Sequence, residues 1–76
     1  MSQLAELAVG SRCRVVNVDA GDAIGMRLLE MGLTPGVELA IVGTAPLGDP
    51  IELEVRGYRL SVRKSEAARV SIEVIE

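Results

Sequence analysis

Residues 51–62 constrain the fold more than any other stretch of this chain. Ile51, Leu53 and Val55 alternate with Glu52 and Glu54, then Tyr58, Leu60 and Val62 alternate with Arg59 and Ser61. Between the two runs stands Arg56-Gly57. Period-two alternation on both sides of a two-residue turn predicts a β-hairpin. The expected register pairs Val55 with Tyr58, Leu53 with Leu60 and Ile51 with Val62, and sets Glu54 opposite Arg59 on the wet face. A slip of one residue would turn the charges into the core, so the register is well specified.

Turn signals recur along the rest of the chain at Gly10, 19–22, Pro35-Gly36, 43–50 and Arg56-Gly57. Short strands between closely spaced turns predict a small barrel or sandwich. Residues 12–18 read as a strand in which Cys13 and Val15 share one face while Val16 and Val18 share the other. Either both faces are covered or a bulge shifts the phase. Residues 37–42 read as a second strand, and Val70, Ile72 and Val74 alternate in a last one. Residues 4–8 read as a short turn with Ser2 as cap, its Leu4 and Leu7 covering the barrel floor together with Val9. Residues 65–68 read as another turn capped by Ser65. The real helix is predicted at 22–31, with Asp22 as N-cap, Gly32 as the left-handed residue after its end, and Pro35 blocking continuation. The expected architecture is all-β with a short helix. It is a small five-stranded SH3-like barrel with one α-helix and one or two short helical turns, residues 1–76 forming a single domain.

Composition narrows the function. The formal net charge is −3, whereas nucleic-acid binders need a basic face to displace counterions. No run approaches the ~20 apolar residues that span a bilayer, and residues 1–8 carry no basic leader pattern. Cys13 is the only cysteine, so no internal disulfide can form and a reducing, cytoplasmic setting is expected.

Candidate chemistry is sparse. There is no His, so none of the serines has a conventional base to activate it. Cys13 sits on an alternating strand and reads as packing. Asp19 and Asp22 fall short of the oxygen ligands that calcium needs and read as turn and cap residues. Gly21, Gly25 and Gly32 fit neither phosphate-binding glycine pattern. Arg56, Arg59, Arg63, Lys64 and Arg69 read first as solvated strand faces paired with Glu52 and Glu54. The alternative is a basic edge for an acidic partner. One Tyr cannot line a proline-peptide groove. No catalytic residue, metal site or cofactor is expected.

The helix and one loop carry the interaction signal. Ile24, Leu28 and Met31 form one apolar stripe, and Met26, Leu29 and Leu33 form another on the far side, with Arg27 and Glu30 as the polar wedge. A helix lying on a barrel buries one stripe in its own domain. The other is covered either by Leu4 and Leu7 or by a partner, a role that Met suits because it adapts its shape. The loop Pro46, Leu47, Gly48, Asp49, Pro50 sets an apolar residue between two rigid ones. It either meets a partner or folds back over the barrel end. The candidate partner surface is Met26, Arg27, Leu29, Glu30 and Leu33 with Pro46, Leu47, Gly48, Asp49 and Pro50.

Three strings carry a family likeness. Arg27-Leu28-Leu29-Glu30-Met31-Gly32-Leu33-Thr34-Pro35-Gly36 resembles the helix and turn of the FeoA family, ferrous iron transport protein A. Ala45-Pro46-Leu47-Gly48-Asp49-Pro50-Ile51 resembles its second signature. Val55-Arg56-Gly57-Tyr58, followed by Leu60-Ser61-Val62-Arg63-Lys64-Ser65-Glu66-Ala67, resembles its third. Val62 stands where the family more often has Leu, which keeps the inward apolar character. The resemblance implies an SH3-like barrel and a cytosolic accessory of bacterial ferrous iron uptake. Its implied partner is FeoB, a membrane transporter with a cytosolic GTP-binding domain. The expected action is docking, with no nucleic acid and no membrane insertion, and a weak homo-oligomer remains open. The alternative is a metal-responsive SH3-like domain that binds a transition metal and changes oligomeric state, or docks on an iron-dependent regulator.

Overall fold

The computed structural model describes residues 2–75. Six strands form one antiparallel sheet in the order β1-β6-β2-β3-β4-β5. They are β1 (Ser2–Gln3), β2 (Arg12–Val18), β3 (Glu38–Thr44), β4 (Ile51–Val55), β5 (Tyr58–Val62) and β6 (Val70–Ile75). Two helices, α1 (Ala23–Glu30) and α2 (Lys64–Ala67), and a 3-10 turn at Leu4–Glu6 complete the fold. The Cα radius of gyration is 10.9 Å, close to the roughly 11 Å expected of a compact chain this long.

The hairpin has the predicted register. Val55 pairs with Tyr58, Glu54 with Arg59, Leu53 with Leu60 and Ile51 with Val62. Its turn holds Arg56 at φ 51° and Gly57 at φ 86°, the left-handed pair that matches strand twist in a two-residue loop. The phase conflict in β2 resolves as a bulge between Val15 and Asn17, which turns Val16 outward while Val15 and Val18 stay buried. A second bulge in β3, between Ile41 and Gly43, adds to the bend of the sheet.

The sixth strand corrects the expected count of five. Ser2 pairs with Ile72 and Gln3 with Ser71, so Ser2 is a strand residue and not a cap. A two-residue strand shows no alternation and leaves no periodic trace in sequence. The 3-10 turn begins after Gln3, whose backbone N–H donates to Glu6 Oε1 at 3.2 Å. Leu4 is buried and Leu7 half-buried against the core as expected, but Val9 is exposed. The cap of α2 also differs from expectation. It is Arg63, whose N–H donates to Glu66 Oε1 at 3.0 Å, with Ser65 inside the helix.

α1 ends in a Schellman motif. Gly32, at φ 106°, donates its N–H to Leu29 O at 3.0 Å, and Leu33 donates to Leu28 O at 3.1 Å. This geometry brings Leu28 and Leu33 together, and both are fully buried in the core cluster. That cluster draws Leu4, Cys13, Val15, Leu53, Ile72 and their neighbours from every layer and contains no polar side chain among the described residues.

Candidate functional site

Three ties hold α1 against the rest of the fold. At its start the Asp22 carboxylate accepts from the Gly25 N–H at 3.1 Å and pairs with Arg69. Midway, Arg27 pairs with Glu66 of α2. At its end the Tyr58 hydroxyl donates to Met31 O at 2.8 Å and lies against Gly32, where a Cβ would strike it. Tyr58 is the edge-strand residue expected to face the core, and it serves instead as a half-exposed strut.

Arg69, and then the Gly25 amide, hold the Asp22 carboxyl below the usual carboxylate range. A lowered folded-state value stabilises above the unfolded value and is lost as pH falls through the folded one. Asp22→Asn keeps a capping oxygen but loses the charge. It is expected to melt below the parent at neutral pH, with the gap closing as acid protonates Asp22. Thermal melts across a pH series check this, and a gap unchanged to the acid limit of folding would remove the ion pair from the explanation.

The structure sorts the predicted interface residues into three groups. Met26 is 50% exposed and Leu47 is 97% exposed. Glu30 and Pro46 are exposed as well. Leu29 is partly buried against the core. Leu33 is fully buried, which corrects its place on the partner-facing stripe: the helix-ending motif swings it inward. The exposed apolar side of α1 is Ile24 and Met26 instead. Arg59 stands opposite Glu54 in the hairpin as expected, but among the described residues none of the last-third arginines closes an ion pair with Glu52 or Glu54. The ion pairs among the described residues join Arg12 and Arg14 to Glu38, Arg14 to Glu73, Arg27 to Glu66 and Arg69 to Asp22.

The loop at 45–50 is pinned from both sides. Ala45 N–H donates to Pro50 O at 3.0 Å and Gly48 N–H to Ala45 O at 2.7 Å. The Asp49–Pro50 bond is cis. Asp49 Oδ1 accepts from the Lys64 N–H at 2.9 Å, joining the loop to the start of α2. Asp49 therefore positions the loop, and Leu47 alone stands fully clear of the protein.

Between α1, α2, β5 and the loop lies an open cleft of about 490 Å³, lined by Arg27, Met31, Pro50, Ser61, Arg63 and Glu66. It brings together Arg27 and Pro50 from the two predicted segments. Met31, Ser61 and Glu66 were missed as site residues, and Arg63 entered only through the alternative basic edge. The family-like string 60–67 contains three of them, but nothing in their spacing joins them to α1.

A family model described as the FeoA domain matches residues 2–74. The chain belongs to the FeoA family. It is 34% identical over 73 residues to an Fe(2+) transport protein A/Fe(2+) transporter FeoB fusion protein of Porphyromonas gingivalis. That match covers 96% of this chain but only 9% of the fusion's length. An FeoA-like protein of Clostridium acetobutylicum superposes with a TM-score of 0.90 at 38% identity, covering 100% of this chain and 92% of that one. The zinc complex of Stenotrophomonas maltophilia FeoA, described as a prokaryotic SH3 domain protein, superposes with a TM-score of 0.83 at 35% identity, covering 96% and 91%. The SH3-like fold expected from sequence is thus the fold of this FeoA domain.

Within the FeoA domain Cys13 is fully buried, and desolvation pushes its thiol up to about 11. A cysteine binds a metal as its thiolate, so this environment works against ligation by Cys13. Among the described residues no three His, Cys, Asp or Glu side chains stand close enough to share an ion, and no helix is long and apolar enough to cross a membrane. What the surface offers is a rigid projecting leucine beside a charged cleft.

Proposed function

We propose that this chain is a cytosolic accessory of ferrous iron uptake that acts by docking on an FeoB-type transporter, residues 1–76 serving as one SH3-like domain. The observation that carries the reading is the Porphyromonas gingivalis relative, in which the matching segment shares one polypeptide with a transporter named FeoB. Covalent joining keeps two units at high effective concentration, which serves units that work in contact. Where two such units are separate polypeptides, surface complementarity must do the same work.

Leu47 is the proposed anchor. A 97% exposed leucine held on a loop with its own hydrogen bonds and the Asp49 clip loses little conformational freedom on binding, so burial of its side chain translates into affinity. Met26 and Ile24 extend the apolar side of α1. Leu47→Glu is expected to weaken capture of the purified, detergent-solubilised transporter by at least about ten-fold, the scale of an interface anchor. Its melting temperature should match the parent's, because Leu47 makes no core contact. Capture at parental affinity would take the loop out of the interface.

A further inference from the structure

The cleft beside Leu47 differs in charge from the molecule around it. The whole chain carries −3, yet the cleft wall holds Arg27 and Arg63 against Glu66 alone. Glu66 pairs with Arg27 and its other oxygen accepts from the Arg63 N–H. The Arg63 side chain makes no ion pair with any described residue. Met31 and Pro50 supply apolar wall, and Ser61 a hydroxyl. A second cleft of about 440 Å³, on the side of Arg12, Glu38, Glu54 and Arg56, is balanced in charge, and its Arg12 pairs with Glu38.

We infer that the cleft between α1, α2 and the 45–50 loop receives an acidic, partly apolar segment of the protein partner, with Arg63 as the principal charge partner. The inference rests on the docking reading and deepens it by naming the chemistry the partner presents. Leu47 projects toward the partner from the same loop that supplies Pro50, so an anchor and a charge-selective groove share one rigid border. An exposed arginine alone contributes little affinity in water. A carboxylate brought to Arg63 beside apolar wall is partly desolvated, and such pairs govern approach, register and salt dependence. Guanidinium recognises carboxylate with paired, directional donors that Lys cannot reproduce.

The test titrates the intact protein, observed by its backbone amide NMR signals, with a short acetylated peptide amide of alternating leucine and glutamate. The control peptide has glutamine for each glutamate. The acidic peptide should move the signals of Arg27, Met31, Ser61 and Arg63, less so as salt is raised. The glutamine peptide should leave them in place, and Arg63→Glu should abolish the response while the spectrum stays folded. Arg59→Glu, on β5 and outside the cleft, should respond as the parent does. Equal shifts from both peptides, or an Arg63→Glu response equal to the parent's, would overturn the inference. A parallel transporter capture separates it from the docking reading. Arg63→Glu is expected to bind the transporter on the order of ten-fold more weakly. Parental capture by Arg63→Glu together with loss in Leu47→Glu would overturn the cleft assignment and leave docking standing. A peptide response of the expected kind with Leu47→Glu capture undiminished would support the cleft and overturn the loop anchor.

Discussion

Replacing Gly25 by Ala is expected to destabilise the protein by about 2 kcal/mol or more, although the same change inside an exposed helix normally stabilises by about 1 kcal/mol. The reversal follows from where α1 crosses the chain before it. A Cβ on Gly25 would meet the carbonyl oxygen of Asp19 and the Cα of Ala20, both inside the 3.0 Å that real Cβ atoms keep. These are backbone atoms, so no rotamer change relieves the clash, and the helix must lift. Lifting strains the Asp22 cap, which takes its hydrogen bond from the Gly25 N–H itself, and pulls on the Arg69 pair. Overpacking of this kind costs about 1–3 kcal/mol, and the rigidity of the obstacle puts Gly25→Ala near the upper end. A chain of this length has roughly 4–11 kcal/mol to lose, and each kcal/mol moves the midpoint by about 4–8 °C. Urea and thermal unfolding check the value. A variant as stable as the parent would show that α1 slides freely over 19–20.

Leu33→Ala is expected to cost about 2–5 kcal/mol, the range for truncating a buried leucine. Leu33 is fully buried with Leu28 beneath the helix end, and it closes the Schellman motif through its own N–H. Shortening it leaves a void in a close-packed core of aliphatic side chains and one cysteine. The functional consequence is specific. Transporter capture by Leu33→Ala should decline with temperature in step with the unfolded fraction and return to parental strength where the variant is folded. Leu47→Ala should show the opposite pattern, with stability within about 0.5 kcal/mol of the parent and capture weakened at every temperature. A folded Leu33→Ala that fails to bind would return Leu33 to the interface, and a parental melting curve would contradict its place in the core.

The hairpin, the helix and its two ends were legible from sequence for local reasons. Alternation at 51–62 fixes which side of each strand is wet, and Arg56-Gly57 fixes the loop length, so every pair in the ladder follows. Asp22 and Gly32 mark a helix because a cap acceptor and a left-handed residue act on backbone groups within a few residues. The β2 bulge was legible only as a conflict of phase, and β6 decided it by pairing on both sides of the irregularity. Tyr58 misled because alternation reports the side of a strand and says nothing of what covers that side. At the sheet edge the cover is the helix end, and the tyrosine reaches across to Met31 O.

The candidate site divides along the same line. The sequence by itself determined that Leu47 stands between two rigid prolines and that α1 carries apolar residues on two sides. Only the tertiary structure decided that Leu33 turns inward, that Asp49 is taken by the Lys64 amide and that Arg63 meets Arg27, Met31 and Pro50 around one cleft. Period and turn chemistry act between residues a few positions apart, and they are written directly into the order of side chains. A cleft joins residues tens of positions apart, and its existence depends on how far the sheet bends and where the helix comes to rest, which no short stretch of chain encodes.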